Sequence, residues 1–254
     1  MKCRLCHKEG DLCNSHIISE AFYNGLYDNK HRALLIHAED NNLRLIQKGI
    51  YEKLLCTECE KKISKWESVL KHDLLDIGNH YSNFLKITKR TTKIYQVENI
   101  RYREFKFAVL SLLWRMSVSS NDFFKSYSLG PYEEKLRKTL YKELLPTERQ
   151  YPILVLRYEL GGVFHSELIL GFPPNRYENI LTFQQFIIWG HGFTIFVHDR
   201  IFPNLPIDIF LRESGNLFIG TRSFENLASK ESVLAKLFDK DVETIFEKKM
   251  EWIK

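Results

Sequence analysis

Four of the five cysteines fall into two Cys-x-x-Cys pairs, Cys3/Cys6 and Cys56/Cys59, and Ser15-His16-Ile17-Ile18 lies between them. A Cys-x-x-Cys turn sets two sulfurs on one side of a tight knuckle. Two knuckles separated by 49 residues can close a single four-thiolate site, which is the donor set structural zinc favours. The second pair opens a helical pattern, where unpaired backbone amides and the helix dipole stabilise thiolate charge. The competing chemistry, a thiol redox pair, expects a thioredoxin-like βαβ pattern that these residues lack. Cys13 is left over and reads as a core thiol, with an alternate metal ligand as the other reading. His16 carries the group best suited to moving a proton near neutral pH, and a packed, hydrogen-bonded structural histidine is its alternative reading.

The elements that must position these groups follow from periodicity. Short apolar runs at 33–38 and 43–55, with Gly49, predict strands of a small irregular sheet. From Glu58, the residues Ile63, Trp66, Val69, Leu70 and Leu74 fall at helical spacing, and Gly78 is the expected stop. Knuckle, irregular strands, then knuckle-into-helix is a treble-clef arrangement. The stretch 101–118 is apolar on nearly every face and predicts a buried helix, and Pro131 starts another over 132–145. After residue 150 the period changes. Strands at 153–158 and 163–170 flank Gly161-Gly162, and a second hairpin is expected from 207–211 and 217–219 around Ser214-Gly215-Asn216. Phe193–Val197 reads as a further strand, and amphipathic helices are expected at 229–238 and 242–252. The fold class is therefore α+β: a zinc-stapled module (1–80), a helical middle (81–150), and a C-terminal antiparallel strand-rich part with terminal helices (151–254).

A chain of 254 residues with 44% hydrophobic and 27% charged content can bury a sizeable core. Its longest apolar run, Phe107 to Trp114, stops at Arg115, well short of a membrane span. No apolar stretch precedes Cys3, so a secretory leader is not expected, and metal-bound thiolates in a reducing cytoplasm are. The net charge of +5 is uneven: residues 76–150 carry 14 Lys+Arg against 8 Asp+Glu. Lys86, Lys89, Arg90, Lys93, Arg101 and Arg103 would attract a phosphate backbone, or else form a solvated surface.

The strings Cys3-Arg4-Leu5-Cys6, Ser15-His16-Ile17-Ile18-Ser19 and Leu54-Leu55-Cys56-Thr57-Glu58-Cys59-Glu60 resemble the zinc-stabilised HNH endonucleases, the ββα-metal nucleases, over about 75 residues. The likeness is to divergent small bacterial members in which a serine precedes the histidine. It implies hydrolysis of phosphodiester bonds, in DNA more than RNA, with His16 as general base and magnesium or manganese as catalytic metal beside the structural zinc. It places Glu60 where the family carries His or Asn on the helix; a helix N-terminal acid favoured by the dipole is the other reading. Ser15 replaces the residue that normally helps hold the catalytic metal. Asn42, with Asn41 beside it, is the candidate for the asparagine that orients the histidine. Phage defence or toxin-like activity is the setting this likeness implies.

A competing function is a zinc-binding adaptor without catalysis, which would bind nucleic acid or a protein through the basic middle segment. A homo-oligomer would suit double-strand cutting, and a regulatory partner protein is a further expectation. His165, His191 and His198 lack matched carboxylate or cysteine spacing and read as structural. Gly161-Gly162 is read as a turn, since no Lys-Ser/Thr follows it.

Overall fold

The computed structural model describes residues 1–27, 29–36, 43–125, 127–160, 162–164, 169–171, 175–177, 181–197 and 207–223. The first knuckle closes on its own backbone, with His7 N donating to Cys3 O and Cys3 N donating to Lys8 O. Strand β1 (Asn14–His16) follows, then two turns of 3-10 helix at Glu20–Phe22 and Asn24–Leu26. Strands β2 (Ala33–Ile36) and β3 (Leu43–Ile46) form a hairpin of their own. β4 (Tyr51–Lys53) returns antiparallel to β1, with Ser15 opposite Glu52 and His16 opposite Tyr51. The apolar stretches at 33–38 and 43–55 thus split between two small sheets.

Helix α1 (Thr57–Asn79) starts on the second knuckle, with Cys56 as N-cap and Glu58 and Glu60 in the first turn, the end where acids are favoured. It runs one residue past Gly78. His80 adopts the left-handed conformation (φ 53°) and donates its N–H back to the Asp76 and Ile77 carbonyls. Gly78 serves packing instead: a Cβ there would come within 2.9 Å of the Phe164 ring.

The middle stretch departs from the helical expectation. β5 (Lys86–Lys89) and β6 (Ile94–Glu98) form an antiparallel hairpin before α2 (Tyr102–Val118) and α3 (Tyr132–Lys142). Its local signal is thin because only Val97 on these strands is fully buried. What completes it is β13 (Leu217–Ser223), which pairs with β6 from about 120 residues away in sequence. Between them the chain lays down β7 (Ile153–Leu160), β8 (Val163–Phe164), β9 (Ile169–Gly171), β10 (Asn175–Tyr177), β11 (Leu181–Ile188) and β12 (His191–Phe196). The resulting nine-stranded sheet has the order β10-β11-β12-β7-β13-β6-β5, with β8 on β7 and β9 on β11. All its pairs are antiparallel except β13 with β7.

The expected hairpin of 207–211 with 217–219 does not form. Both edges of β13 are taken, by β6 and β7, so Ile207–Ile209 curls into a 3-10 turn and Leu211 N donates to Ile153 O instead. The helices expected at 229–238 and 242–252 lie outside the described residues.

One hydrophobic core joins all three stretches. α2 is its axis. Phe107 stacks on Trp66 of α1 at 4.7 Å between ring centroids, and Phe105 meets Phe193 of β12 at 6.3 Å. No helix among the described residues is long and apolar enough to cross a membrane.

Candidate metal centre and the histidine beside it

The two knuckles meet. The Sγ atoms of Cys3, Cys6, Cys56 and Cys59 lie within 4.8 Å of one another, and Cys6 Sγ is 3.7 Å from Cys56 Sγ. Four sulfurs about 2.3 Å from one zinc ion stand about 3.8 Å apart along each tetrahedral edge, so the donor set and its spacing fit zinc. A disulfide needs about 2.05 Å, and all five cysteines are free thiols.

The electrostatics point the same way. Burial raises the Cys3 thiol, but the backbone N–H groups of Cys6, Cys56 and Leu5 more than offset this and bring it down to about 7. Burial and then the neighbouring Cys3 charge push Cys59 strongly up, and burial pushes Cys6 up. Packing four thiolates together therefore costs free energy that a divalent cation removes. Cys13 is neither a core thiol nor part of the cluster: it is half-buried, with its Sγ 3.5 Å from Thr57 Oγ1.

Ser15 and His16 sit on β1, where successive side chains turn to opposite faces. Ser15 is fully buried. Its hydroxyl donates to Glu60 Oε2 at 2.7 Å and accepts from Leu55 N at 3.1 Å. Glu60 is the carboxylate in the first turn of α1, immediately after Cys59, so the second knuckle sets its position. Its other oxygen is the group that could hold a hard cation such as magnesium, which binds through one or two carboxylates while keeping most of its waters. Ser15 thus orients Glu60, since its hydroxyl proton is already committed.

His16 turns the other way. Its Nε2 lies 3.0 Å from Glu20 Oε2, and its ring meets Tyr51 edge-on at 5.7 Å. Glu20 is itself fixed: Tyr27 OH donates to Oε1 at 2.6 Å and Gly49 N donates to Oε2 at 3.0 Å. Gly49 permits this approach because a Cβ there would stand 2.5 Å from the Tyr23 ring. The contact has ion-pair distance without hydrogen-bond geometry, and Nε2 is buried with no hydrogen-bond partner among the described residues. Glu20 is the residue the sequence reading missed; its only signal is a carboxylate four residues after the histidine.

Arg115 is the second missed residue. Fully buried on α2, it donates to the His16 carbonyl at 2.7 Å and pairs with the buried Glu67 of α1. Burial pushes the Glu67 carboxyl up, and the guanidinium opposes that shift. The signal was present in the sequence: an arginine inside a helix apolar on nearly every face must be paired. Asn41 and Asn42, the candidates for orienting the histidine, lie outside the described residues. So do His165 and His198.

His191 is described and fully buried on β12. Its Nδ1 faces Trp189 O at 2.8 Å, and burial lowers its pKa to about 4. It belongs to a structural cluster with Arg157 and Phe164. No family model, no curated protein and no solved structure matches this chain.

Proposed function

We propose that this chain is a metal-dependent endonuclease of the HNH type, in which a treble-clef module over residues 1–80 hydrolyses phosphodiester bonds of nucleic acid, DNA in preference to RNA. The observation that carries the reading is His16 on β1 facing Glu20 of the following 3-10 turn, one residue from the Ser15–Glu60 pair beside the second knuckle. Ser15 and His16 are consecutive on β1 and their side chains leave it on opposite faces, so the two sets flank the strand.

His16 Nδ1 takes a proton from water, and the water oxygen attacks phosphorus as the bond to the leaving oxygen breaks. Glu20, at ion-pair distance from Nε2, stabilises the imidazolium that forms. Glu60 would hold the magnesium or manganese, which would supply neutralisation of charge on the phosphate. The four cysteines keep β1, the start of α1 and the intervening loop in register through zinc.

A second reading, the adaptor without catalysis, has one observation behind it: Ser15 presents a hydroxyl already engaged on both sides. The test is cleavage of supercoiled plasmid with magnesium or manganese by the parent and by His16→Ala, with zinc content measured on both. The nuclease reading expects His16→Ala to lose about 10²–10⁴-fold in rate with zinc and fold unchanged. Equal cutting by both proteins would remove His16 from the chemistry. Salt-sensitive binding with no cutting by the parent would favour the adaptor.

A further inference from the structure

The stretch from Tyr81 to Lys93 combines exposed aromatic rings with unpaired positive charge. Tyr81 is 69% exposed and Phe84 57% exposed, on a loop between α1 and β5. Singly exposed hydrophobics are normal on a protein surface, but these two rings lie three residues apart on one loop. The loop is rigid. Ser82 Oγ donates to Asp76 Oδ2 and accepts from Phe84 N and Leu85 N, Tyr81 OH donates to Asn83 Oδ1, and Asn99 Nδ2 donates to Phe84 O. Arg101 lies over the Phe84 ring at 5.3 Å and is anchored from below by the buried Asp73 at 2.8 Å.

The adjoining hairpin is basic. No acidic residue occurs between Asp76 and Glu98, while four Lys or Arg do. Lys86 is paired with Glu98. Among the described residues Lys89, Arg90 and Lys93 have no carboxylate partner: Lys89 lies over Tyr95, and Arg90 donates to the neutral Gln96. Lysines at a sheet edge also guard against edge-to-edge pairing. Guarding accounts for the cations but not for two large rings held open to water beside them.

We propose that this surface binds an unpaired stretch of nucleic acid, with bases stacking on Tyr81 and on the Phe84–Arg101 ledge and phosphates meeting Lys89, Arg90 and Lys93. Ring faces can stack only bases that are not already stacked in a duplex, so the preference is for single strands. The inference rests on the nuclease reading for the substrate's class, but not on catalysis. The surface stands at the far end of α1, whose 23 residues span about 34 Å from the cysteine cluster. It therefore governs binding and KM rather than the chemical step.

The experiment is fluorescence anisotropy in magnesium-free buffer on His16→Ala, with a 20-nucleotide oligo-dT, an oligo-U of equal length and a 20-base-pair duplex as probes. Tyr81→Ala with Phe84→Ala should weaken single-strand binding at least tenfold and leave the duplex almost unchanged, with zinc content and circular dichroism preserved. Lys89, Arg90 and Lys93 changed together to Gln should lower the slope of log affinity against log salt by about 2 on single strands. The relative affinity of oligo-dT and oligo-U assigns DNA or RNA. Unchanged single-strand affinity in the aromatic double variant overturns the proposal, as does a preference for duplex that ignores both rings. Single-strand binding by a chain whose parent never cuts would sustain it while removing the nuclease reading.

Discussion

The cysteine module and the nine-stranded sheet each hold a histidine beside charged groups, and the two sites differ in what surrounds them. His16 keeps about a third of its side chain exposed, with a carboxylate at ion-pair distance from Nε2. His191 is sealed in the sheet, one nitrogen on a backbone carbonyl, and its charged form is disfavoured by burial. A similar set of polar groups leaves the histidine open to water in one region and sealed in the other. Access to water and to a fixed carboxylate separates them, not residue type.

The largest effect that would test this contrast is loss of the staple. Cys59→Ser, or a chelator strong enough to strip zinc, should unfold the N-terminal module, since structural zinc contributes about 10–16 kcal/mol in small domains. Zinc stoichiometry and far-ultraviolet circular dichroism check this. Retention of the fold without metal would mean that the shared core, not the cysteines, holds β1 against α1.

Next in size is Arg115→Ala, which leaves Glu67 buried without its partner and frees the His16 carbonyl. A cost of about 3–5 kcal/mol in urea unfolding is expected. Arg115→Met paired with Glu67→Leu should recover most of it, because replacing a buried ion pair by apolar residues is often neutral.

Acid sensitivity belongs to the sheet. His191 is lowered to about 4 from an ordinary value of 6.5, so the unfolded chain binds more protons between those values. Its contribution is complete above pH 6.5 and is lost as pH falls toward 4, by up to about 3 kcal/mol. The difference in urea midpoint between pH 7 and pH 4.5 should shrink in His191→Gln relative to the parent. Cleavage at neutral pH should be unaffected once folding is matched. A specific loss of cleavage would break the division between the two regions.

The smallest expected effect is Glu20→Gln. An amide at this position still fills the space, but it no longer stabilises the imidazolium. A loss of about 10–100-fold in kcat, roughly 1.4–2.7 kcal/mol, is expected with KM little changed. Cleavage kinetics on a defined oligonucleotide read the split, and an equal fall through KM would instead place Glu20 in substrate binding.

Much of the module was legible because its signals are local. Cys-x-x-Cys spacing marks the metal cluster, an i, i+3, i+4 stripe marks α1, and the all-round apolar run marks α2. The hairpin expected after 153–158 is present as β7 paired antiparallel with β8. Ser15 and Glu60 were named as site residues, and the fold brings them to 2.7 Å. The hairpin at 86–98 was hidden because its inward face holds little beyond Ile87 and Val97, and its partner strand is remote in sequence. The second expected C-terminal hairpin failed for the converse reason: its turn signal is local, but the edges of β13 were already claimed.

The sequence by itself determined the four-cysteine donor set and the helix that opens on its second pair. Spacing along the chain is enough to fix groups within one or two turns of each other. Only the tertiary structure decided that Glu20 rather than Glu60 faces His16, that Arg115 holds the His16 carbonyl from a helix 99 residues on, and that Ser15 serves Glu60. Alternation along β1 sends neighbouring side chains to opposite faces, and what waits on each face is set by packing of distant elements.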